Sequence, residues 1–381
     1  MDRFDEIVEE LNKHLECINQ NWLFGAGISY GANIPLMKSL TERIEGLIPS
    51  SAYKKLYKAI SSDLPNDHHI EHILSHLGDY IAIAERSKNK NTTVNGDIYK
   101  YDKLYELHTE IIKHIGETIR YGYKESDSTG KTKEEVGKID NPIIKIDTHL
   151  KFVETLFKTK ANLLSRTSIT MFTTNYDTLI EDAFSLNKVE VNDGFCGAAI
   201  GYWNPNKSFS NNEGINLVKL HGSVDWVNDK KWGLVRNRYG VNYLTNDSDV
   251  LIYPQATKYV ETQKDPFAFL FSEFRKKLSN PKENILVVCG YSFGDNHINA
   301  EIENTINLPG NRTTLIVFIN EMKIPLENLL KSDKTCNKVF VCTEKGVFHT
   351  DNYLQKKAGS EKLNWWMFDK MIDFLKDGEA I

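Results

Sequence analysis

The sequence has few cysteines, and none of them stands in a metal-binding or disulfide pattern. Its 381 residues include five cysteines and no Cys-x-x-Cys pair. An odd and scattered set predicts neither a disulfide framework nor a thiolate zinc site. The first residues also lack the basic start and apolar stretch of a secretory signal peptide. We therefore expect a cytoplasmic protein.

Long hydrophobic runs and a large excess of one charge are missing as well. No apolar run approaches the roughly 20 residues that span a bilayer, which argues against membrane insertion. The formal net charge is -5 at pH 7, from 47 basic and 52 acidic residues. Nucleic-acid-binding domains are usually basic, so direct nucleic-acid binding is not indicated. A chain of this length favours one domain with a large insertion, or two domains.

Apolar periodicity divides the chain into a strand-containing part and a helical part. Short apolar runs typical of buried strands occupy residues 22–24, 168–173, 215–220, 284–289, 314–319 and 338–342. Helical patterns separate several of them, which favours a parallel sheet with crossover helices. Helical periodicity dominates from about residue 50 to residue 165, between the first and second of these strands. We predict an α/β fold in which residues 1–49 and 166–381 form a Rossmann-like parallel sheet and residues 50–165 form a helical insertion.

Polar residues follow the first three predicted strands. Residues 171–177 read Met-Phe-Thr-Thr-Asn-Tyr-Asp, and residues 220–222 read Leu-His-Gly. Ligands of open parallel sheets bind beyond the carboxyl ends of the strands, so these residues predict one shared cleft. Gly25 and Gly27, after the first strand, would let backbone N–H groups and the start of a helix approach a pyrophosphate. Glycines at such positions are also common in plain tight turns.

Two later strands end in the same manner. The run after residue 289 contains Gly290 and Ser292, and the run after residue 318 contains Asn320. A serine hydroxyl and a glycine N–H suit phosphate, whereas an asparagine at a strand end suits ribose hydroxyls. The strand ends together predict a site for one dinucleotide.

These motifs, in this order, resemble those of the sirtuin family over residues 22–40 and about 168–322. The similar segments are the NAD-binding loop (Gly25, Ala26, Gly27, Ile28, Ser29), the nicotinamide-pocket motif (Thr173, Thr174, Asn175, Tyr176, Asp177), the segment of the catalytic histidine (Leu220, His221, Gly222), and the phosphate and adenosine-ribose segments (Gly290, Tyr291, Ser292; Ile319, Asn320). The predicted helical insertion lies outside the resemblance.

The chain departs from deacylating sirtuins where their acyl-lysine substrate binds. Those enzymes carry Asp-Phe-Arg where this chain has residues 36–38, Leu-Met-Lys, and a glutamine where it has Thr174. They also carry four zinc cysteines after the histidine, whereas only Cys289 lies between His221 and Gly290. No zinc is therefore expected. The pattern instead resembles bacterial sirtuin-like effectors of antiviral defence, which hydrolyse NAD and have a helical insertion in place of the zinc module.

The resemblance implies that NAD is the substrate and that the products are nicotinamide and ADP-ribose. It implies that Asn175 positions a water molecule and the ribose, that His221 is the general base, and that Asp177 contacts the nicotinamide carboxamide. Structural alternatives stay open: Asn175 as a turn residue, His221 as a satisfied structural histidine, Asp177 as a helix N-cap. The predicted cofactor-binding residues are Gly25, Ala26, Gly27, Ser29, Asp177, Gly290, Ser292 and Asn320.

The resemblance also implies a homo-oligomer and a separately encoded HerA-type ATPase partner. An NAD-binding or ADP-ribose-binding regulatory module without turnover is a second interpretation. Protein deacylation or ADP-ribosyl transfer is a third.

We predict that four histidines fall within one helix, at positions 68, 69, 72 and 76. The spacing of His72 and His76 is one that a metal ion could use. There is no His-Glu-x-x-His motif, and an apolar stripe from Ile70 to Ile81 accounts for the helix. We predict a solvated or packing face here, and no metal site.

Overall fold

The structure is a computed structural model. It describes residues 3–48, 51–126, 133–160, 168–207, 209, 215–238, 249–252, 265–350, 353–359 and 362–380. The α-helices are α1 (Arg3–Leu15), α2 (Gly27–Tyr30), α3 (Met37–Leu47), α4 (Ser51–Ser62), α5 (Ile70–Arg86), α6 (Tyr101–Tyr121), α7 (Asp147–Glu154), α8 (Leu179–Leu186), α9 (Phe267–Leu278), α10 (Asn296–Ile306), α11 (Ile324–Lys331) and α12 (Phe368–Asp377). The strands are β1 (Asn19–Phe24), β2 (Asn91–Val94), β3 (Asp97–Lys100), β4 (Tyr123–Lys124), β5 (Glu135–Val136), β6 (Ser168–Thr173), β7 (Val191–Asn192), β8 (Phe195–Gly197), β9 (Ile200–Trp203), β10 (Ile215–Lys219), β11 (Gly222–Asp229), β12 (Gly233–Asn237), β13 (Asp249–Ile252), β14 (Asn284–Cys289), β15 (Thr313–Phe318), β16 (Val339–Thr343), β17 (Gly346–His349) and β18 (Leu354–Gln355).

The central sheet is largely parallel and has the strand order of a Rossmann fold. Its described strands lie in the order β18-β17-β16-β15-β14-β1-β6-β10-β7. The pairs from β16 across to β7 are parallel, and β17 and β18 are antiparallel additions. The six main parallel strands, β10-β6-β1-β14-β15-β16, correspond to the order 3-2-1-4-5-6. The predicted Rossmann-like α/β fold is confirmed, and its ligand-binding switch point lies between β1 and β14.

Helices cover both faces of this sheet, which is why the central positions of its strands are mostly apolar. Every position of β14 and β15 is buried, as expected for a parallel sheet covered on both sides. One core joins the sheet to α1, α7, α8 and α12, and a second joins it to α9, α10 and α11. The six strands predicted from apolar runs lie where the sequence pattern placed them, with ends shifted by at most a few residues.

The helical part packs over the carboxyl edge of the sheet. Helices α3 to α6 share a third core, which also contains Tyr176, Leu179 and Val224 from the sheet domain. The same part of the chain contains two antiparallel hairpins, β2–β3 and β4–β5. Helix α7 lies within the predicted insertion, but its Phe152 packs in the core of the sheet. The described residues between β1 and β6 are thus mainly helical and lie over the strand ends, and their status as an insertion stays a prediction.

A second, antiparallel sheet has the strand order β13-β11-β12-β9-β8, with β8 and β9 before β10 in the chain and β11 to β13 after it. Strand β11 begins at Gly222, directly after His221. This small sheet was not predicted from the sequence, because polar residues interrupt the apolar pattern of its strands, as in β11, Gly222–Asp229.

Two further findings concern membranes and metals. None of the described helices is both long and apolar enough to cross a membrane. The prediction that four histidines share one helix is wrong, because α5 begins at Ile70: His68 and His69 precede it, and only His72 and His76 lie on it. Among the described residues, no group of three or more His, Cys, Asp or Glu side chains is placed to hold a metal ion.

Candidate active site

The strand pairing brings the polar strand ends to one edge of the sheet. Phe24 at the end of β1 pairs with Thr173 of β6 and with Cys289 of β14. Thr173 also pairs with Lys219 at the end of β10. The segments that start at Gly25, Thr174, Leu220 and Gly290 therefore leave the sheet side by side.

Asn175, Ser29 and Asp177 form a buried chain of hydrogen bonds. Asn175 Nδ2 donates to Ser29 Oγ over 3.0 Å, and Ser29 Oγ donates to Asp177 Oδ2 over 2.8 Å. The Oδ1 atom of Asn175 is buried and has no hydrogen-bond partner among the described residues. A buried amide oxygen without a partner costs free energy, on the order of 1–3 kcal/mol, which a ligand or water could recover. The three residues are thus brought together, with one acceptor left open.

Asp177 has a structural role in addition to its contact with Ser29. Its Oδ1 accepts the N–H of Leu179 over 3.0 Å, which forms an Asx turn just before α8. Its backbone carbonyl accepts a hydrogen bond from the buried ammonium group of Lys219. Lys219 also donates to Glu181 over 3.0 Å. The N-cap position of α8 is Thr178, so the N-cap alternative for Asp177 is wrong, and Asp177 instead stabilises the turn before the helix while its Oδ2 accepts from Ser29.

His221 is paired with a residue that was not among the predicted site residues. Its Nε2 lies 3.0 Å from Asp295 Oδ2, and the two side chains are each 3% exposed. Asp295 is the N-cap of α10, where its carboxylate accepts the N–H groups of His297 and Ile298. The sequence signal for this residue was an aspartate between the glycine-rich end of β14 and the next helix. The pattern predicts a cap there, but it does not predict the contact with His221.

The loop of residues 25–29, here called the glycine loop, packs directly against the segment after β14. Gly25 N–H donates to Cys289 O over 3.1 Å, and Gly27 N–H donates to Gly290 O over 2.9 Å. A Cβ atom on Gly27 would lie 2.7 Å from Gly290 Cα. Helix α2 after the loop is one turn, Gly27–Tyr30. The glycines are thus required by close backbone packing at the switch point. Their contact with a phosphate, and that of Ala26, stays a prediction.

Ser292 and Asn320 lie at the carboxyl edge but outside the buried hydrogen-bond chain. Ser292 is exposed, and its Oγ accepts the N–H of Gly294 over 3.3 Å. Asn320 is exposed after β15, and its backbone carbonyl accepts the N–H of Glu344 over 3.1 Å. Neither side chain bonds to Asn175 or His221 in the described part of the chain. Both positions are accessible to a ligand that lies along the edge.

The helical part encloses the buried site. The Tyr176 hydroxyl donates to Glu71 Oε1 of α5 over 2.6 Å, and burial raises the pKa of this phenol well above its usual value. Arg120 of α6 donates to the carbonyl of Val224. Ser29, Asn175, Asp177 and His221 are each 7% exposed or less. These four side chains are therefore shielded from solvent.

Residues 169–337 match the family model of the SIR2-like domain. The match begins in β6 and spans less than half of the chain. It includes all the predicted site residues except the four of the glycine loop, and it also includes Asp295. Similarity to the SIR2-like domain therefore extends over both predicted catalytic residues.

Two solved structures resemble the chain at low identity. One is the crystal structure of a Sir2 homologue in complex with NAD, with 12% identity, a TM-score of 0.40 and coverage of 84% of each chain. The other is a mutant Sir2 homologue in complex with 2'-O-acetyl ADP-ribose, with 12% identity, a TM-score of 0.39, and coverage of 84% of this chain and 87% of that one. No curated protein matches the sequence.

A second histidine lies close to the site without having been predicted. His149 of α7 is fully buried, and neither of its ring nitrogens has a hydrogen-bond partner among the described residues. Burial lowers the pKa of His149 to about 4, and the negative charge of Asp177 opposes part of this shift. The imidazole is therefore neutral over the whole range in which the protein would work.

We expect a His149→Leu variant to gain stability over the wild type in acid. An unfolded histidine binds its proton near pH 6.5, whereas folded His149 binds it only near pH 4. The contribution of neutral His149 to the free energy of unfolding is therefore complete above pH 6.5, and it is lost as the pH falls towards 4. From pH 7 to pH 5 the variant should gain about 2 kcal/mol of unfolding free energy relative to the wild type. Urea titrations at both pH values measure this.

Glu181 provides a control with the opposite sign. Burial raises the pKa of Glu181 to about 7, against the attraction of Lys219 and Arg238. Protonation between about pH 7 and pH 4.5 therefore favours the folded state, so a Glu181→Gln variant should lose stability relative to the wild type over the same fall in pH. A His149→Leu difference that does not change with pH would contradict the low pKa of His149.

Proposed function

We propose that this protein hydrolyses NAD to nicotinamide and ADP-ribose. The observation that carries the proposal is the buried Oδ1 atom of Asn175, which has no partner among the described residues and lies at the carboxyl edge of a Rossmann sheet. The match to the SIR2-like domain over this region supports the same class of substrate. Ser29 and Asp177 support the same role for Asn175. Ser29 accepts a hydrogen bond from the Asn175 amide and donates one to Asp177, so the amide is held in place.

The reaction requires little acid catalysis. Water attacks C1' of the nicotinamide ribose while the bond from C1' to the ring nitrogen breaks, and the electron pair of that bond neutralises the cationic ring. The transition state has oxocarbenium character, as in other glycosidic cleavages. Asn175 Oδ1 accepts a hydrogen bond from the water or from a ribose hydroxyl. His221 takes the proton that the water loses.

A direct test is to incubate the purified protein with NAD and to quantify nicotinamide and ADP-ribose by chromatography. We expect both products in equal amounts, and a decrease of about 10²-fold in turnover for Asn175→Ala, as for loss of one preorganised polar contact. Asn216→Ala is the matched control, because Asn216 is a buried asparagine at the start of β10 that accepts a hydrogen bond from Asn192. Equal turnover in the two variants would contradict the role of Asn175.

The closed state of the site favours a second candidate, an NAD-binding or ADP-ribose-binding module without turnover. Ser29 and His221 are almost completely buried, which suits retention of a ligand. Binding of NAD in calorimetry without any release of nicotinamide would favour this candidate over hydrolysis. Lysine deacylation is the weaker alternative, because the chain lacks the four zinc cysteines of deacylating sirtuins.

We extend the proposal to a role as an antiviral effector that depletes NAD in the cytoplasm. The support for this step, for a homo-oligomer and for a HerA-type ATPase partner is the resemblance to sirtuin-like defence effectors. NAD levels in phage-infected cells that carry the wild type or Asn175→Ala test it, since only the wild type should lose NAD.

A further inference from the structure

The pair formed by His221 and Asp295 joins two strands that are not neighbours in the sheet. Strands β10 and β14 are separated by β6 and β1, and the pair spans the ends of both. Asp295 uses one carboxylate oxygen for each of two tasks. Its Oδ1 accepts the N–H of His297 over 3.0 Å at the start of α10, and its Oδ2 lies 3.0 Å from His221 Nε2.

We propose that Asp295 is a positioning residue that fixes the tautomer of His221, so that Nδ1 is the nitrogen that takes the proton from the attacking water. This inference rests on the proposed function. An ionised carboxylate can only accept a hydrogen bond, so the ring nitrogen facing it must carry the hydrogen. In a neutral imidazole with hydrogen on Nε2, the lone pair lies on Nδ1.

The surroundings of Asp295 hold its carboxylate in one orientation. The Tyr291 hydroxyl donates to the backbone carbonyl of Asp295 over 3.2 Å. The same hydroxyl lies 3.1 Å from Asn299 Oδ1, so its single hydrogen is shared between the two oxygens, and Asn299 Nδ2 donates to the carbonyl of Phe293 over 2.8 Å. These bonds tie the segment between β14 and α10 to the helix that Asp295 caps. The orientation of His221 is therefore set from outside its own strand.

The substitution Asp295→Asn separates the two tasks of this residue. Asparagine is as good a helix N-cap as aspartate, and two backbone N–H groups at the cap retain its oxygen there. The amide nitrogen then faces His221 in place of Oδ2. A donor at that position favours hydrogen on Nδ1 of His221 and moves the lone pair to Nε2.

We expect Asp295→Asn to retain the melting temperature of the wild type and to lower kcat for NAD hydrolysis about 10–100-fold, with little change in KM. Losses of this size follow removal of the partner that orients a metal-binding histidine. A spectroscopic signature should accompany the loss. In protein with ¹⁵N-labelled histidine, the protonated nitrogen of His221 should change from Nε2 to Nδ1, with the His221→Gln spectrum used to assign the signals among the 11 histidines.

Two further variants keep the test decisive. Asp295→Ser retains a cap but does not reach His221, so it should also lower kcat while the protein stays folded. Asp193→Asn is the matched control, because Asp193 is a buried aspartate that accepts the N–H of Phe195 over 3.0 Å and pairs with Arg236 away from the site. Asp193→Asn should leave the His221 signals unchanged.

The outcomes distinguish this inference from the proposed function. Suppose that the wild type hydrolyses NAD and that Asp295→Asn has the same kcat and the same ¹⁵N signals of His221. This result would overturn the role of Asp295 and leave NAD hydrolysis standing. Inversion of the His221 tautomer in a protein whose wild type releases no nicotinamide would overturn the proposed function and leave the positioning role of Asp295 standing.

Discussion

A His221→Gln variant should lose about 10²–10⁴-fold in kcat for NAD hydrolysis, the contribution expected of a positioned general base. Glutamine can still donate a hydrogen bond to Asp295, so the carboxylate keeps a partner and the fold is retained. It cannot take a proton at working pH. Binding of NAD depends on other residues, so KM should change much less than kcat. Initial rates of nicotinamide release over a range of NAD concentrations separate the two parameters.

The glutamine substitution is preferred to alanine for a physical reason. Removing one partner of a buried pair leaves the other charge unpaired, which typically costs about 3–5 kcal/mol and would confuse loss of activity with loss of fold. His349→Gln serves as the control, since His349 is a buried histidine on β17 whose Nδ1 lies 2.9 Å from Val339 O. If His221→Gln keeps the kcat of the wild type, His221 is not the base.

The six main parallel strands could be predicted from the sequence because their information is local, whereas the short strands β7, β17 and β18 of the same sheet were not predicted. Each parallel strand is a short apolar run, and its end is marked by a change to polar residues, as at Thr173 and Lys219. Pattern alone therefore gives the strands, and the handedness of crossover connections limits their arrangement. The register that places Asn175 near Ser29 follows from the parallel pairing of β1 and β6.

The partners of the site residues could not be predicted in the same way. Asp295 is 74 residues from His221, and its local pattern is fully explained by a helix cap. The contact of Tyr176 with Glu71 likewise depends on how the helical part lies on the sheet. Such pairs are set by tertiary packing between elements, for which neither hydrophobic periodicity nor residue spacing contains a signal.

The glycine loop shows the same limit for a backbone contact. The sequence allowed two reasons for Gly25 and Gly27, approach to a phosphate or a tight turn. The structure adds a third, which is close packing against the carbonyl and Cα atoms of Gly290. Only the neighbouring strand reveals it, because the space around a residue is not encoded in its own segment.

A Gly27→Ala variant should therefore be strongly destabilised and should lose NAD hydrolysis, whereas Gly31→Ala should not. The added Cβ at position 27 would lie 2.7 Å from Gly290 Cα, and the atom it meets belongs to the backbone and cannot rotate away. Overpacking of this kind typically costs about 1–3 kcal/mol and occasionally more. The loops after β1 and β14 would also be forced apart, which displaces Ser29 from Asn175.

Gly31 is the matched control because it differs from Gly27 in free space. No heavy atom lies within 4 Å of a Cβ built on Gly31, and its φ of -64° is ordinary for alanine. Alanine there should be neutral, or should stabilise by about 0.4–1 kcal/mol through the unfolded state. Urea unfolding and nicotinamide release are measured for both variants. Equal stability of the two would mean that the contact between the glycine loop and Gly290 does not constrain the site, and the packing explanation for Gly27 would be wrong.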